Sequence, residues 1–231
     1  MAYRLLNSLY GLKQSSRRWN IKLIEALIGA CFTQCNHDYS LFTMRKGEDV
    51  VIIFVYVDDL LITRSRNELV SVAKSILHDK FKIKYLGELK YFLSIEVLRS
   101  QQCILLNQRK YVLELISVMR LGGAKPSATP LETNYNLTTM EYDKVVGTTK
   151  DLPLQDVCAN QRLLGKLLYM TITRPNTSYT VQTLSQFMQM PIQLHWEAAI
   201  RVVKYLKNAP GLGVFMKAEP TQHLTCWCNS D

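Results

Sequence analysis

Two short apolar runs separated by a pair of aspartates constrain this chain more than any other feature. The first run covers Val50 to Val57 and the second covers Leu60 to Thr63, with Asp58 and Asp59 between them. β-Branched and aromatic residues fill both runs, and neither is long enough for a typical helix. The pattern predicts a tight antiparallel hairpin in a buried sheet, with the two carboxylates side by side at its tip.

The aspartate pair is compatible with two interpretations. Aspartate is a favoured turn residue because its side chain hydrogen-bonds nearby backbone, so a plain turn accounts for the pattern. Adjacent carboxylates at the end of a buried sheet also repel each other and lose hydration, and a hard divalent cation such as Mg²⁺ relieves both effects. Two-metal sites use such ligands to hold the oxygens of a phosphoryl displacement. The pattern alone leaves the turn and the metal site open.

Charge and composition narrow the function class. The 231 residues carry a formal net charge of +9, which suggests a polyanionic partner, most simply nucleic acid. A merely soluble basic surface accounts for the charge equally well. The longest apolar run is interrupted by Asp58 and Asp59, which argues against a membrane span. The polar N-terminus and six scattered cysteines predict an intracellular protein that is not secreted, with no membrane association.

Several blocks resemble, in the same order, the reverse transcriptases of Ty1/copia-type retrotransposons. The segment Phe54 to Asp59 resembles the family's YVDD box. Further blocks resemble LYGLKQ-x-P-R-x-W, YFLGIEV, KP-x-x-TPL and the connection between polymerase and RNase H; they lie at Leu9–Trp19, Tyr91–Val97, Lys125–Leu131 and Leu164–Met188. The resemblance therefore extends over nearly the whole chain.

The resemblance implies an α+β fold in four parts. A partial polymerase palm, consisting of an antiparallel sheet with packed helices, would come first, followed by a thumb-like part and a helical connection region. The implied boundaries are 1–125 for the palm and thumb-like part, 126–156 for a polar linker, 157–223 for the helical connection and 224–231 for the first strand of a truncated RNase H domain.

The same resemblance implies RNA-directed DNA polymerisation, in which a nucleotide is added to a primer 3′-hydroxyl. Asp58 and Asp59 would be the catalytic residues and would hold Mg²⁺ in a two-metal site. Tyr56 would lie beside the primer end, with Gly11 and Gln14 near the incoming nucleotide and the template. The implied partners are an RNA template, a DNA primer and deoxynucleoside triphosphates.

Two further groups of residues take roles from the resemblance. Phe92, Leu93 and Ser94 would contact the primer strand, with Ser94 standing where the family usually has a glycine that permits close backbone approach. An ordinary edge hairpin is the alternative for this segment. Asp231 would correspond to a metal ligand of RNase H.

The family takes a third palm carboxylate from a strand upstream of the Gly11 block, and no residue of this chain matches it. Correct geometry of both ions needs the full ligand set, so we expect these 231 residues to be inactive as a polymerase. A non-catalytic nucleic-acid-binding remnant is the alternative function. A third possibility is an unselected fragment that folds poorly.

Local patterns add four structural predictions. Ser65 to Glu68 fits a capping box at the start of a helix. The alternation from Lys90 to Val97 predicts one continuous strand, and the polar segment Glu132 to Asp156 predicts a long loop. The helix predicted from His195 to Lys207 carries a basic side, for which solvent or a strand of nucleic acid would be the partner; its members are Arg201, Lys204 and Lys207.

Overall fold

The computed structural model describes residues 15–57, 59–65, 68–132, 137–147 and 152–218. Within these ranges the chain forms two antiparallel sheets and seven α-helices, so the predicted α+β class is confirmed. Backbone contacts divide the chain into two units, Met1–Leu89 and Lys90–Asp231. The domain boundaries inferred from sequence at residues 125–126 and 156–157 remain predictions.

The first unit contains a four-stranded antiparallel sheet in the order β1-β2-β3-β4, in which each strand neighbours the next one along the chain. Its elements are α1 (Ser15–Gly29), β1 (Thr33–Gln34), β2 (Leu41–Lys46), β3 (Asp49–Tyr56), β4 (Asp59–Arg64) and α2 (Glu68–Lys80).

Alternation along β3 builds the core of the first unit. Val51, Ile53 and Val55 are buried on one face, as the period of a strand requires. Helix α1 contributes Leu23 and Leu27 to the same core, and α2 contributes residues at helical spacing. The buried face of β3, from Val51 to Val55, is therefore held by packing against the two helices.

The start of α2 differs from the predicted capping box. The helix begins at Glu68, and the Ser65 hydroxyl oxygen instead accepts a hydrogen bond from the backbone N–H of Val50 at 3.0 Å. The same hydroxyl donates to Asp49 at 3.1 Å. Ser65 therefore stabilises the open end of the β3–β4 pair.

The second unit contains a four-stranded antiparallel sheet in the order β5-β6-β7-β8 and five helices among its described residues. Its elements are β5 (Tyr91–Phe92), β6 (Ile95–Arg99), β7 (Cys103–Asn107), α3 (Arg109–Val118), α4 (Met140–Val146), α5 (Val157–Met170), α6 (Ser178–Ser185), α7 (Gln193–Leu206) and β8 (Gly213–Lys217), with a 3₁₀ turn at Pro175–Thr177.

Four helices, α3, α5, α6 and α7, share one apolar core. Leucines at helical spacing on α5 meet Leu115 of α3, Leu184 of α6 and Val203 of α7. Helix α5 begins at Val157, where the Asp156 carboxylate accepts the backbone N–H of Ala159 at 2.8 Å and caps the helix.

The predicted loop from Glu132 to Asp156 contains a helix. Thr139 caps α4 by accepting the backbone N–H of Tyr142 at 3.2 Å, and Gly147 ends it with a φ of 68°. This part of the chain therefore has local helix signals that its polar composition conceals.

The pairing of β7 with β8 depends on one glycine. Gly213 lies opposite Asn107, and a Cβ atom at this position would lie 2.0 Å from the carbonyl oxygen of Leu106. Gly165 on α5 differs, since a Cβ there would meet nothing within 4 Å.

The basic side of α7 binds this chain's own residues. Arg201 donates to Glu132 at 2.6 Å and to Thr129 at 3.2 Å. The Lys207 ammonium donates to the carbonyl oxygens of Leu121 at 3.1 Å and Ala124 at 2.7 Å. We call residues 121–132 the α7 strap. The expectation of solvent or nucleic acid as the partner is therefore wrong for Arg201 and Lys207.

No helix within the described ranges is long and apolar enough to cross a membrane.

Candidate active site at the β3–β4 hairpin

The two apolar runs form the predicted antiparallel hairpin, with one difference at its tip. Tyr56 pairs with Asp59, and Val55 pairs with Leu60. Val57 therefore follows β3 directly at the turn, and Asp59 is the first residue of β4. The backbone of Asp59 is fixed by strand pairing, whereas Asp58 lies outside the described residues.

Val57 has an unusual backbone conformation at the start of this turn. Its φ is 52°, in the left-handed region that β-branched residues strongly disfavour. Two-residue hairpins of type I′ require positive φ at both central residues and favour Asn or Gly there. Such a conformation costs about 1–3 kcal/mol and persists only when the surrounding structure imposes it. The ladder of β3 and β4 imposes it here.

The side chains around the turn are open to solvent. Tyr56 is 47% exposed, Val57 is 65% exposed, and Asp59 is also exposed. Among the described residues no group of three or more His, Cys, Asp or Glu side chains could hold a metal ion. The Asp59 carboxylate has the hard oxygen donors that suit Mg²⁺. Gly11, Gln14, Asp58 and Asp231 of the predicted site lie outside the described residues.

The loop before β2 supports β3 near the hairpin tip. The carbonyl oxygen of Ser40 accepts the backbone N–H of Val55 at 2.9 Å. Both the hydroxyl and the backbone N–H of Ser40 donate to the Asp38 carboxylate, at 2.5 and 2.9 Å. The Ser40 side chain, followed by its backbone N–H, lowers the pKa of Asp38 below its usual value. This segment thus helps to place the strand that leads to Asp59.

The predicted primer-contacting residues lie in a second tight turn, so the single strand predicted from Lys90 to Val97 is wrong. Phe92 pairs with Ile95, which makes Leu93 and Ser94 the central residues of a two-residue turn between β5 and β6. Their φ angles are 46° and 61°. The alternation of side chains continues unbroken across a two-residue turn, because two residues are one full period of a strand. In the sequence the hairpin therefore looks like a single strand. The turn also gives a physical reason for a glycine at position 94.

A side chain distant in sequence contacts this turn. The hydroxyl of Tyr169 on α5 donates a hydrogen bond to the carbonyl oxygen of Leu93. The ring of Tyr169 also makes an edge contact with Tyr111 on α3, with 5.6 Å between the ring centroids. Sequence reasoning missed Tyr169, because its helical spacing indicates only a face of α5 and nothing local marks the turn as its partner.

Thr173 and Arg174, which lie in the Leu164–Met188 block, make contacts within the fold. The Arg174 guanidinium is buried and donates to the carbonyl oxygen of Ala209, and burial lowers its pKa from the usual value. Thr173 donates to the side-chain oxygen of Gln108 at 2.8 Å. These contacts hold the end of α5 against the segments before α3 and after α7.

Comparison with known proteins identifies one family and several similar polyproteins. The family described as reverse transcriptase (RNA-dependent DNA polymerase) matches residues 1–133. The Retrovirus-related Pol polyproteins from transposons RE2 and RE1 of Arabidopsis thaliana are 37% and 35% identical over 228 residues, 99% of this chain. That from transposon TNT 1-94 of Nicotiana tabacum is 29% identical over 91% of this chain and 16% of its own length.

The chain spans 15% of the length of the RE1 and RE2 polyproteins. No solved structure matches it. The predicted resemblance to Pol polyproteins of copia-type transposons is confirmed by these relatives.

Proposed function

Because this chain belongs to the reverse transcriptase (RNA-dependent DNA polymerase) family, we propose that it is part of an enzyme that extends a DNA primer on an RNA template. The β3–β4 hairpin carries the proposal, since its register pairs Asp59 with the exposed Tyr56 at the end of a buried strand. In this proposal the first sheet belongs to the polymerase palm, and the β5–β7 strands with α3 lead into a thumb-like part.

The proposed catalytic residues are Asp58 and Asp59. Their carboxylates would hold Mg²⁺, which stabilises the charge that develops as a phosphoryl group is displaced. Strand pairing fixes the backbone of Asp59, which limits the positions that its carboxylate can reach.

The remaining proposed contacts surround the reacting groups. Tyr56 would lie beside the primer end, since its side chain is exposed next to the turn. Gly11 and Gln14 would lie near the incoming nucleotide and the template. Phe92 and the turn that follows it would contact the primer strand.

Asp231 is proposed as a ligand of an RNase H site only by its place in the sequence. The helices α5, α6 and α7 would then form the connection that leads to this nuclease. This assignment supplies no part of the polymerase chemistry.

Metal binding tests the aspartates independently of turnover. Mn²⁺, a spectroscopic substitute for Mg²⁺, is titrated into the 231-residue chain and followed by electron paramagnetic resonance. Asp58→Asn and Asp59→Asn should each weaken binding, because each removes a charged oxygen ligand. Asp79→Asn is the matched control, because Asp79 is an exposed carboxylate near the end of α2. Equal weakening in all three variants would contradict the assignment.

Mg²⁺-dependent primer extension on an RNA template tests the chemistry. We expect these 231 residues alone to give no appreciable extension, because no third palm carboxylate is found among them. Extension at the rate of an intact enzyme, abolished in both aspartate variants, would contradict the expected inactivity. Extension that survives both substitutions would contradict the site itself.

Nucleic-acid binding without turnover is the second candidate function. The net charge of +9 favours it, and Lys80 at the end of α2 and Lys82 and Lys84 after it are exposed for phosphate contacts. Retained binding of a primer–template by a chain whose Mn²⁺ affinity is unchanged in Asp58→Asn and Asp59→Asn would favour this function over catalysis.

A further inference from the structure

We infer that Tyr169 is a positioning residue that holds the β5–β6 turn in the conformation in which it meets the primer strand. The primer part of this inference rests on the proposed function. Its structural basis is the hydrogen bond from the Tyr169 hydroxyl to the carbonyl oxygen of Leu93, between residues 76 positions apart in the sequence.

The turn needs such support because of its backbone. Leu93 and Ser94 both have positive φ, 46° and 61°, a conformation that residues with a Cβ disfavour. The β5–β6 ladder has two residue pairs, Phe92 with Ile95 next to the turn and Tyr91 with Glu96 beyond it. So short a ladder gives weak local support, which makes a contact from outside the hairpin effective.

The hydroxyl that binds the turn is itself well placed. Tyr169 lies on α5 between the buried residues Leu167 and Met170, so its backbone moves with the helical core. Its ring meets the ring of Tyr111 edge-on at a centroid distance of 5.6 Å and an interplanar angle of 76°. This geometry is favourable for two aromatic rings and restricts the rotation of the Tyr169 side chain.

The base of the hairpin has a separate attachment. The Glu96 carboxylate accepts the backbone N–H of Lys110 at the start of α3, at 2.8 Å. The backbone N–H of Val97 donates to the carbonyl oxygen of Lys90 at 2.8 Å. Glu96 thus fixes where the hairpin begins, and Tyr169 fixes how its tip is turned.

Tyr169→Phe tests the inference with the smallest change, since it removes the hydroxyl and keeps the ring. Hydrogen exchange of the Ile95 amide, which pairs with Phe92 across the turn, should become about 5-fold faster, the factor expected when one hydrogen bond is lost. Tyr179→Phe is the matched control, because Tyr179 on α6 is 77% exposed. Unchanged exchange at the turn in Tyr169→Phe would overturn the inference.

Binding then tests the primer role. Fluorescence anisotropy compares the affinity for an RNA template carrying a recessed DNA primer with the affinity for the template strand alone. Tyr169→Phe should reduce this preference about 3- to 10-fold, because a displaced turn loses primer contacts but few template contacts. A loss of equal size for both nucleic acids, or in Tyr179→Phe, would indicate a general structural effect and overturn the positioning role.

Rescue separates positioning from simple destabilisation. Glycine adopts positive φ without a steric penalty, so Ser94→Gly should make the turn less dependent on the tyrosine. The double variant Ser94→Gly/Tyr169→Phe should recover slow exchange and primer preference, and failure to recover either would count against the inference. If the unaltered chain shows no primer preference, the proposed function fails, and the exchange rates alone decide whether Tyr169 holds the turn.

Discussion

Val57 shows at the scale of a single residue how the hairpin tip is constrained. Its φ of 52° is one that Asn and Gly adopt readily and valine does not. Its side chain is 65% exposed, so little apolar burial offsets the unfavourable backbone. The strain therefore lies in the residue that directly precedes the proposed catalytic Asp58.

Val57→Asn should raise the free energy of unfolding by about 1 kcal/mol, because asparagine tolerates the left-handed conformation better. Chemical denaturation followed by circular dichroism measures the change. Val118→Asn is the control, since Val118 is 64% exposed at the end of α3 and its helix propensity is similar to that of asparagine. A decrease in stability for Val57→Asn would mean that the valine side chain makes a favourable contact at the tip.

Sequence reasoning recognised the β3–β4 hairpin and missed the β5–β6 turn for a reason that lies in single residues. Around Asp58 the apolar runs stop at charged residues, so the turn is visible in the composition. Leu93 and Ser94 are neither glycine nor asparagine, and nothing in their identity indicates positive φ. The partner that supports them, Tyr169, becomes visible only when the chain has folded.

Helix α7 and its strap show the same limit at the scale of an element. Basic residues at every third position predict a charged helix face correctly, but not what that face binds. Arg201 and Glu132 are 69 positions apart, and the carbonyl groups that Lys207 binds belong to the segment that follows α3. Backbone acceptors leave no trace in a sequence, so the strap could not have been predicted.

Lys207→Met should lower the free energy of unfolding by about 1–3 kcal/mol, because it leaves partly buried carbonyl oxygens without their donor. Arg201→Met should lower it by only about 0.2–1 kcal/mol, because its partners Glu132 and Thr129 are exposed. Lys204→Met is the matched control, since Lys204 contacts the strap through its backbone carbonyl oxygen, which the substitution keeps. Thermal denaturation of the three variants gives the comparison. If Lys204→Met lowers the stability as much as Lys207→Met does, general charge and not the strap contacts stabilises this region.

At the scale of the whole molecule, charge gives the broadest expectation. A net charge of +9 should make the affinity for a primer–template fall steeply with salt, with a log–log slope of about −0.7 to −0.9 for each phosphate neutralised. Fluorescence anisotropy between low and physiological salt measures the slope. Lys82→Gln, which removes an exposed charge, should make the slope shallower, whereas Lys207→Gln should leave it unchanged because that ammonium binds backbone carbonyls.

The space around Gly213 links the pairing of β7 with β8 to the substitutions that evolution can accept at this position. A methyl group at this position would lie 2.0 Å from the carbonyl oxygen of Leu106, so even alanine would push the two strands apart. Among copies of a mobile element that accumulate substitutions freely, position 213 should therefore be lost early in those that no longer need the sheet and kept in those that do. Gly165, with open space around it, should drift in both.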